Sequence, residues 1–330
     1  MKKGMKKRKL KIVTLGGGGG HAQLLKGIKN IPNLDITALC NCSDSGGSTG
    51  ILRREFKKYG INGYLGDLTK CICALSKNNK LSESMMLRLN SDTLQLHSVK
   101  NILFTSLAVK HGVMDAIKLM QETMQLDKNH RAYPVSLGRT SLKVKLKGKQ
   151  TFSGETYVDT ISRNRLWDPI NHKITNVWLT PKISADRNAL KAIKNADYII
   201  FCPGDLFTSV IPVLLVSGIP RAIEKSKAKL IQVINITTKL GETDGYDVLD
   251  FVQEIKKRIN GREPDYVVCN SGKISDSLLR RYKIREHKIA IPATESSKKI
   301  LKNKLIQADV WTSTKNHYII HDENKLTNVI

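Results

Sequence analysis

The chain has 330 residues, with 55 Lys and Arg against 29 Asp and Glu, and a formal charge of +26. Its 40% hydrophobic content is enough for a packed core and excludes wholesale disorder, while 5% aromatic content leaves aliphatic packing dominant. No apolar run approaches the ~20 residues of a bilayer span, and the positive excess makes anions the first partners to consider: nucleic acid, membrane phosphate or a phosphorylated small molecule.

In chain order, residues 1–9 are lysine-rich and read as a basic disordered arm. The apolar stretch that follows is too short for the ~7–15-residue core of a secretion signal. Lys9–Leu15 reads as a first strand that runs into Gly16–Gly20, after which Leu24, Leu25 and Ile28 show helical spacing. Asn33–Cys40 reads as a second strand opening into the polar loop Asn41–Gly50. Strand, loop, helix and strand in that order begin a parallel sheet. Asp67 is placed to cap a helix running to about Ser76, and Leu81–Leu89 and Asn101–Gln121 are expected to be helical. Leu142–Leu146, the turn Lys147-Gly148-Lys149 and Thr151–Thr156 form a hairpin pattern, an antiparallel insertion at about 140–160. Lys173–Leu179 then resumes the strands, Ser184 caps a helix to Asn195, and Tyr198–Cys202, Leu230–Ile236 and Tyr266–Cys269 read as strands buried on both faces. The expected fold is α/β, with residues 10–330 forming one domain.

In an open α/β sheet, ligands bind beyond the carboxyl ends of the strands, so four loops carry the chemistry. Gly16–Gly20 lets the backbone approach a phosphate ahead of a helix N-terminus. Ser43–Gly50 offers Asp44 to a ribose hydroxyl or a magnesium ion, and glycine and serine amides to an anion. Cys202–Ser209 presents Thr208 and Ser209 at the start of a helix. Asn235–Tyr246 carries Glu242, which suits a general base, a ribose ligand or a cap on backbone amides equally well. His97 and Asn101 stand four apart, on one helical face if the helix begins that early. Cys40-x-Cys42 and Cys71-x-Cys73 have spacers shorter than the two to four residues usual at zinc, and no matching His pair follows. They read as small buried apolar residues in a reduced interior, and no metal site is assigned. No helix-turn-helix, zinc-finger or RNA-recognition pattern is present, so nucleic acid is not expected despite the charge.

These loops resemble one family, the gluconeogenesis factor (YvcK-type) proteins, relatives of the 2-phospho-L-lactate transferase (CofD-type) enzymes. The family blocks read roughly GGGTG, DDGGSSGRLR, PPGDIRNC, GHxxGN, GPGSLYTSxxPN and MTQxGETxGY. Here they stand as GGGGG (Gly16–Gly20), SDSGGSTGILR (Ser43–Arg53), LGDLTKC (Leu65–Cys71), LHSVKN (Leu96–Asn101), CPGDLFTSVIPV (Cys202–Val213) and TTKLGETDGY (Thr237–Tyr246). The GETxGY block favours the gluconeogenesis-factor branch.

The resemblance implies a Rossmann-like three-layer αβα fold with a mostly parallel central sheet. It implies a UDP-N-acetylglucosamine-like nucleotide-sugar ligand and a cytoplasmic role in carbon metabolism, cell-wall precursor supply and cell shape. It also leaves room for self-association, and for a transferase reaction with Mg2+. Carried over by position, the ligand contacts are Gly17, Gly18, Gly20, Asp44, Gly46, Gly47, Ser48, Asp67, His97, Asn101, Pro203, Gly204, Thr208, Ser209, Gly241, Glu242 and Thr243. Departures from the pattern fall at Gly19, Ser45, Thr69, Lys70, Lys100, Cys202, Asp205, Val213 and Lys239. Ser45 in place of an Asp weakens a two-carboxylate magnesium site.

Overall fold

The computed structural model describes residues 8–43, 47–55, 66–89, 97–148, 151–154 and 173–330. Asp44, Ser45 and Gly46 lie outside the described residues, as do residues 1–7 of the expected arm. Arg8 and Lys9 already make contacts, Arg8 with Asp197 and Lys9 with Asn129.

Seven parallel strands form the central sheet: β1 (Leu10–Gly16), β2 (Leu34–Cys40), β3 (His130–Pro134), β7 (Tyr198–Phe201), β8 (Lys229–Val233), β9 (Tyr266–Asn270) and β10 (Leu305–Ala308). Their spatial order is β10-β9-β8-β7-β1-β2-β3. The chain therefore builds outward from β1 in one direction through β2 and β3. It then returns to the other side of β1 with β7 and builds outward again. That reversal, between β1 and β7, is the switch point of a doubly wound Rossmann-like sheet. β1 runs in register with β2 from Leu10 opposite Leu34 to Gly16 opposite Cys40, and with β7 from Ile12 opposite Tyr198 to Leu15 opposite Phe201. Leu15, Ile36, Leu39, Ile199, Ile200, Leu230 and Val267 are fully buried, as the continuous apolar runs require.

Before the sheet reverses, the chain forms α1 (Gly18–Ile28), α2 (Gly47–Glu55), α3 (Gly66–Leu75), α4 (Asn79–Met86), α5 (Val99–His111) and α6 (Val113–Thr123). Asn101–Gln121, expected as one helix, is two. Gly112 sits between them at φ 83°, which ends α5 with its amide on the Ala108 carbonyl. Asp67 does not cap α3; it lies in the first turn, one residue inside the helix. Ser184 is likewise not a cap, because Asp186 accepts from the Asn188 amide at the start of the helix Arg187–Asn195.

The insertion is larger than a hairpin. β4 (Ser141–Leu146) pairs antiparallel with β5 (Thr151–Ser153) and also with β6 (Ile174–Thr180). The segment read as a resumption of the main sheet therefore closes a separate three-stranded antiparallel sheet. Pattern alone could not assign it, since Ile174, Val177 and Leu179 are buried as they would be in either setting. Further on, β11 (Trp311–Ser313) and β12 (Ile319–His321) form a hairpin, and the short helix Glu323–Thr327 packs against α1. Gly27 makes that crossing close: a Cβ there would lie 2.2 Å from Thr327 Oγ1.

Candidate functional site

The carboxyl ends of β1, β7 and β8 converge on a cavity of about 340 Å3. Gly19, Gly20 and Gln23 line it from α1, Pro203–Asp205 from the loop after β7, Asn235–Lys239 from the loop after β8, Lys288 from beyond β9, and Ile319–His321 from β12. Its volume is at the small end of the ~300–1,000 Å3 usual for ligand sites.

The glycine loop shapes one wall. Gly17 stands at the N-cap of α1 with no side chain to cap the helix, and no acidic residue lies in the first turn. The leading amides and the positive end of the helix dipole are thus available to an anion. Gly18 adopts φ 68°, and a Cβ on Gly20 would lie 2.2 Å from the Pro203 carbonyl oxygen. The adjoining Pro203–Gly204 turn is clamped by Asn235, whose Oδ1 accepts from the Gly204 amide at 2.9 Å and whose Nδ2 donates to the Gly204 carbonyl at 2.8 Å. Lys239 and Lys288 bring ammonium groups to the cavity, Lys239 lying 3.2 Å from Asp205 and Lys288 2.6 Å from Glu286.

Beside the glycine loop lies a second polar group of residues. His97 Nδ1 is 2.9 Å from Ser48 Oγ, and Asn101 Nδ2 donates to that same oxygen at 2.9 Å. Asn101 Oδ1 accepts from Lys100 Nζ at 2.6 Å and from Thr69 Oγ1 at 3.2 Å, while Lys100 also donates to Thr69 Oγ1 at 3.1 Å. His97 precedes α5 rather than sharing its face with Asn101, and Ser48 joins the two. Burial, with help from Lys70, pushes the Lys100 ammonium down to about 8. Asp67 is buried too, its Oδ2 placed where a Cβ on Gly17 would be only 2.3 Å away, and its Oδ1 lies 3.4 Å from Lys70 Nζ.

Glu242 has a bracing role. Its Oε2 accepts from the Phe207 amide and its Oε1 from the Thr208 hydroxyl, both at 2.9 Å. These groups begin a single wide turn of π-helix, Leu206–Val210, which replaces the expected α-helical start and leads into the helix Ile211–Leu214. Of the three readings open to Glu242, the structure shows the cap. Burial, reinforced by Asp205 and opposed by Lys239, pushes its carboxyl up to about 8. Gly241 donates its amide to Asp244, and Thr243 Oγ1 accepts from the Lys239 amide. Gly241, Glu242 and Thr243 thus hold the loop from behind, and the cavity is lined by Ile236–Lys239 of the same loop instead.

Of the residues carried over from the family motifs, Gly20, Pro203 and Gly204 line the cavity. Gly17, Gly18, Asp67 and Ser209 lie around the adjoining glycine turn, with Ser209 Oγ 3.5 Å from the place of a Cβ on Gly18. Ser48, His97 and Asn101 form the neighbouring network, and Gly47 begins α2. Sequence reasoning passed over Asn41, which donates to the Thr208 carbonyl and accepts from Ser43, and Asn235. Asn41 follows β2 directly and Asn235 stands two residues past the end of β8, which was the available signal. Nothing local marked Lys288 or Ile319–His321.

The switch-point crevice is that of a Rossmann-like α/β protein. The profile of the 2-phospho-L-lactate transferase CofD family matches residues 12–311. A Thermotoga maritima protein provisionally named a gluconeogenesis factor is 35% identical over 97% of this chain and 98% of its own length. The gluconeogenesis factor of Bacillus subtilis is 28% identical over 98% of both. A crystal structure of a Bacillus halodurans protein superposes with a TM-score of 0.86 at 30% identity, covering 97% of this chain and 99% of that one. The chain belongs to the gluconeogenesis factor family and carries its CofD-like domain.

Proposed function

We propose that the switch-point crevice binds a nucleotide-sugar of the UDP-N-acetylglucosamine type. On this reading the chain is a cytoplasmic regulatory protein serving carbon metabolism, cell-wall precursor supply and cell shape. The observation that carries it is the junction of Gly20 with Pro203 at the uncapped N-terminus of α1. A diphosphate suits those amides, and the sugar or base suits the cavity beyond, where Lys239 and Lys288 add positive charge. The +26 charge supplies a field that concentrates anionic ligands. Among the described residues no helix is long and apolar enough to cross a membrane.

A thermal-shift panel of uridine, guanosine and adenosine nucleotides and their sugars tests this. Ligand at 100 times its Kd adds about 2.7 kcal/mol of stability. A rise confined to UDP-sugars supports the reading, and no rise with any of them at millimolar concentration overturns it.

The transferase alternative rests on Asp67, a buried carboxylate against the glycine turn. That carboxylate already faces the Lys70 ammonium, a poor setting for Mg2+, so no step is drawn through the metal. Release of a nucleoside monophosphate from an activated guanylyl donor would favour this alternative.

A further inference from the structure

Beneath the glycine loop lies a cluster that the nucleotide reading does not use. His21, in the first turn of α1, is fully buried. Its Nε2 is 2.8 Å from Thr14 Oγ1, while Nδ1 has no hydrogen-bond partner. A buried polar atom left unpaired is costly. One ring nitrogen of His21 and the sulfurs of Cys40 and Cys71 all lie within 4.8 Å of one another. The three come from three elements: α1, the end of β2 and the middle of α3. Cys202, just past β7, approaches from a fourth direction: a Cβ on Gly16 would be 3.2 Å from Cys202 Cβ and 3.7 Å from His21 Nδ1. All four cluster residues are buried, and the three cysteines are unbridged.

We propose that His21, Cys40 and Cys71 form a closed site for a thiophilic divalent ion, zinc above all, and that Cys202, whose sulfur now rests 3.8 Å from the Ile200 carbonyl, turns in as the fourth donor. The donor set is that of structural zinc sites, which are tetrahedral and supplied by Cys and His. Tetrahedral bonds of about 2.3 Å place two sulfurs ~3.8 Å apart, so the Cys40 and Cys71 sulfurs, within 4.8 Å of one another, draw together by ~1 Å or less on loading. Thr14 acts as the outer partner that fixes the ring and leaves Nδ1 for the metal, the usual support of a ligating histidine. Each cysteine that ligates releases its thiol proton to solvent, so loading strengthens as pH rises. The ion would tie α1, β2, α3 and β7 together at the switch point. The Cys-x-Cys pairs hide this arrangement in sequence, because each contributes one member to the cluster and the partners lie across the fold.

Full burial means that metal enters as the chain folds, so the test refolds the full chain from denaturant with Co2+. The expected result is one Co2+ per chain, with a thiolate-to-cobalt absorption band that Zn2+ abolishes, and a raised Tm. Cys71→Ser loses the band, while Cys269→Ser, a buried cysteine remote from the cluster, keeps it. His21→Leu keeps the apolar packing and weakens cobalt binding at least tenfold. No band in the refolded wild type, or a band of full strength in Cys71→Ser, overturns the proposal. So does native protein that has lost two hydrogens to a Cys40–Cys71 disulfide and carries no metal.

Discussion

Gly20 and the Pro203 carbonyl meet without room for a single extra carbon, the nearest approach of a Cβ being 2.2 Å from that oxygen. The contact is to backbone, so no side chain can swing away. Gly20→Ala should therefore separate the two loops, lower stability by about 1–3 kcal/mol as overpacking does, and abolish the shift produced by UDP-sugars. Urea denaturation with and without ligand measures both effects.

Lys100 gives a pH signature. Its ammonium titrates near 8 in the fold against 10.5 for the free side chain. Between those values the unfolded chain holds the proton that the folded chain has released, so stability rises with pH. This contribution is complete above 10.5 and lost as pH falls through 8. Lys100→Met should flatten that rise, and urea unfolding at pH 8, 9 and 10 reads the difference from wild type.

Glu242 gives the opposite slope. Its carboxyl titrates near 8 in the fold against 4.5 unfolded. The folded chain holds the extra proton in this window, so stability present below 4.5 declines as pH rises to 8. Glu242→Gln keeps an acceptor for Phe207 and carries no charge. It should remove the decline and be more stable than wild type at pH 9, measured by the same unfolding series.

Asn101 accepts from both Lys100 and Thr69 and donates to Ser48. Asn101→Ala leaves a buried ammonium and two hydroxyls without their shared partner. The expected loss is about 1–3 kcal/mol, with His97 and Ser48 released from α5. The His97 ring resonances report that release by NMR.

Much of the sheet was legible because strands buried on both faces must be continuously apolar: Tyr198–Phe201 falls within the expected Tyr198–Cys202, while Lys229–Val233 ends three residues before the expected Leu230–Ile236 does. β3 was not legible. His130–Pro134 is an edge strand with polar residues and a terminal proline, features that strand pattern counts against but an edge tolerates. The site divides the same way. Glycine loops at strand ends announced themselves locally, whereas the role of Glu242 depended on the Phe207 amide 35 residues earlier and the Thr208 hydroxyl beside it. Two departures from the family pattern also made sense only in space. Thr69 stands where the family has Arg and Lys100 where it has Gly, yet the Lys100 ammonium reaches the Thr69 hydroxyl. Lys70 keeps a positive charge on α3, and Lys100 adds one from the facing helix α5.

The β11–β12 hairpin sets the order in which the crevice can be completed. Ile319–His321 line the cavity together with Gly19 and Gly20, and Gln23 reaches Glu323 across 300 positions of sequence. A nascent chain emerging from the ribosome can fold β1, α1 and β2 early, yet it has no finished crevice until the hairpin has been synthesised. On the proposed function, ligand would reward only chains translated through that point, and a message truncated before it would yield a sheet whose crevice lacks the Ile319–His321 lining.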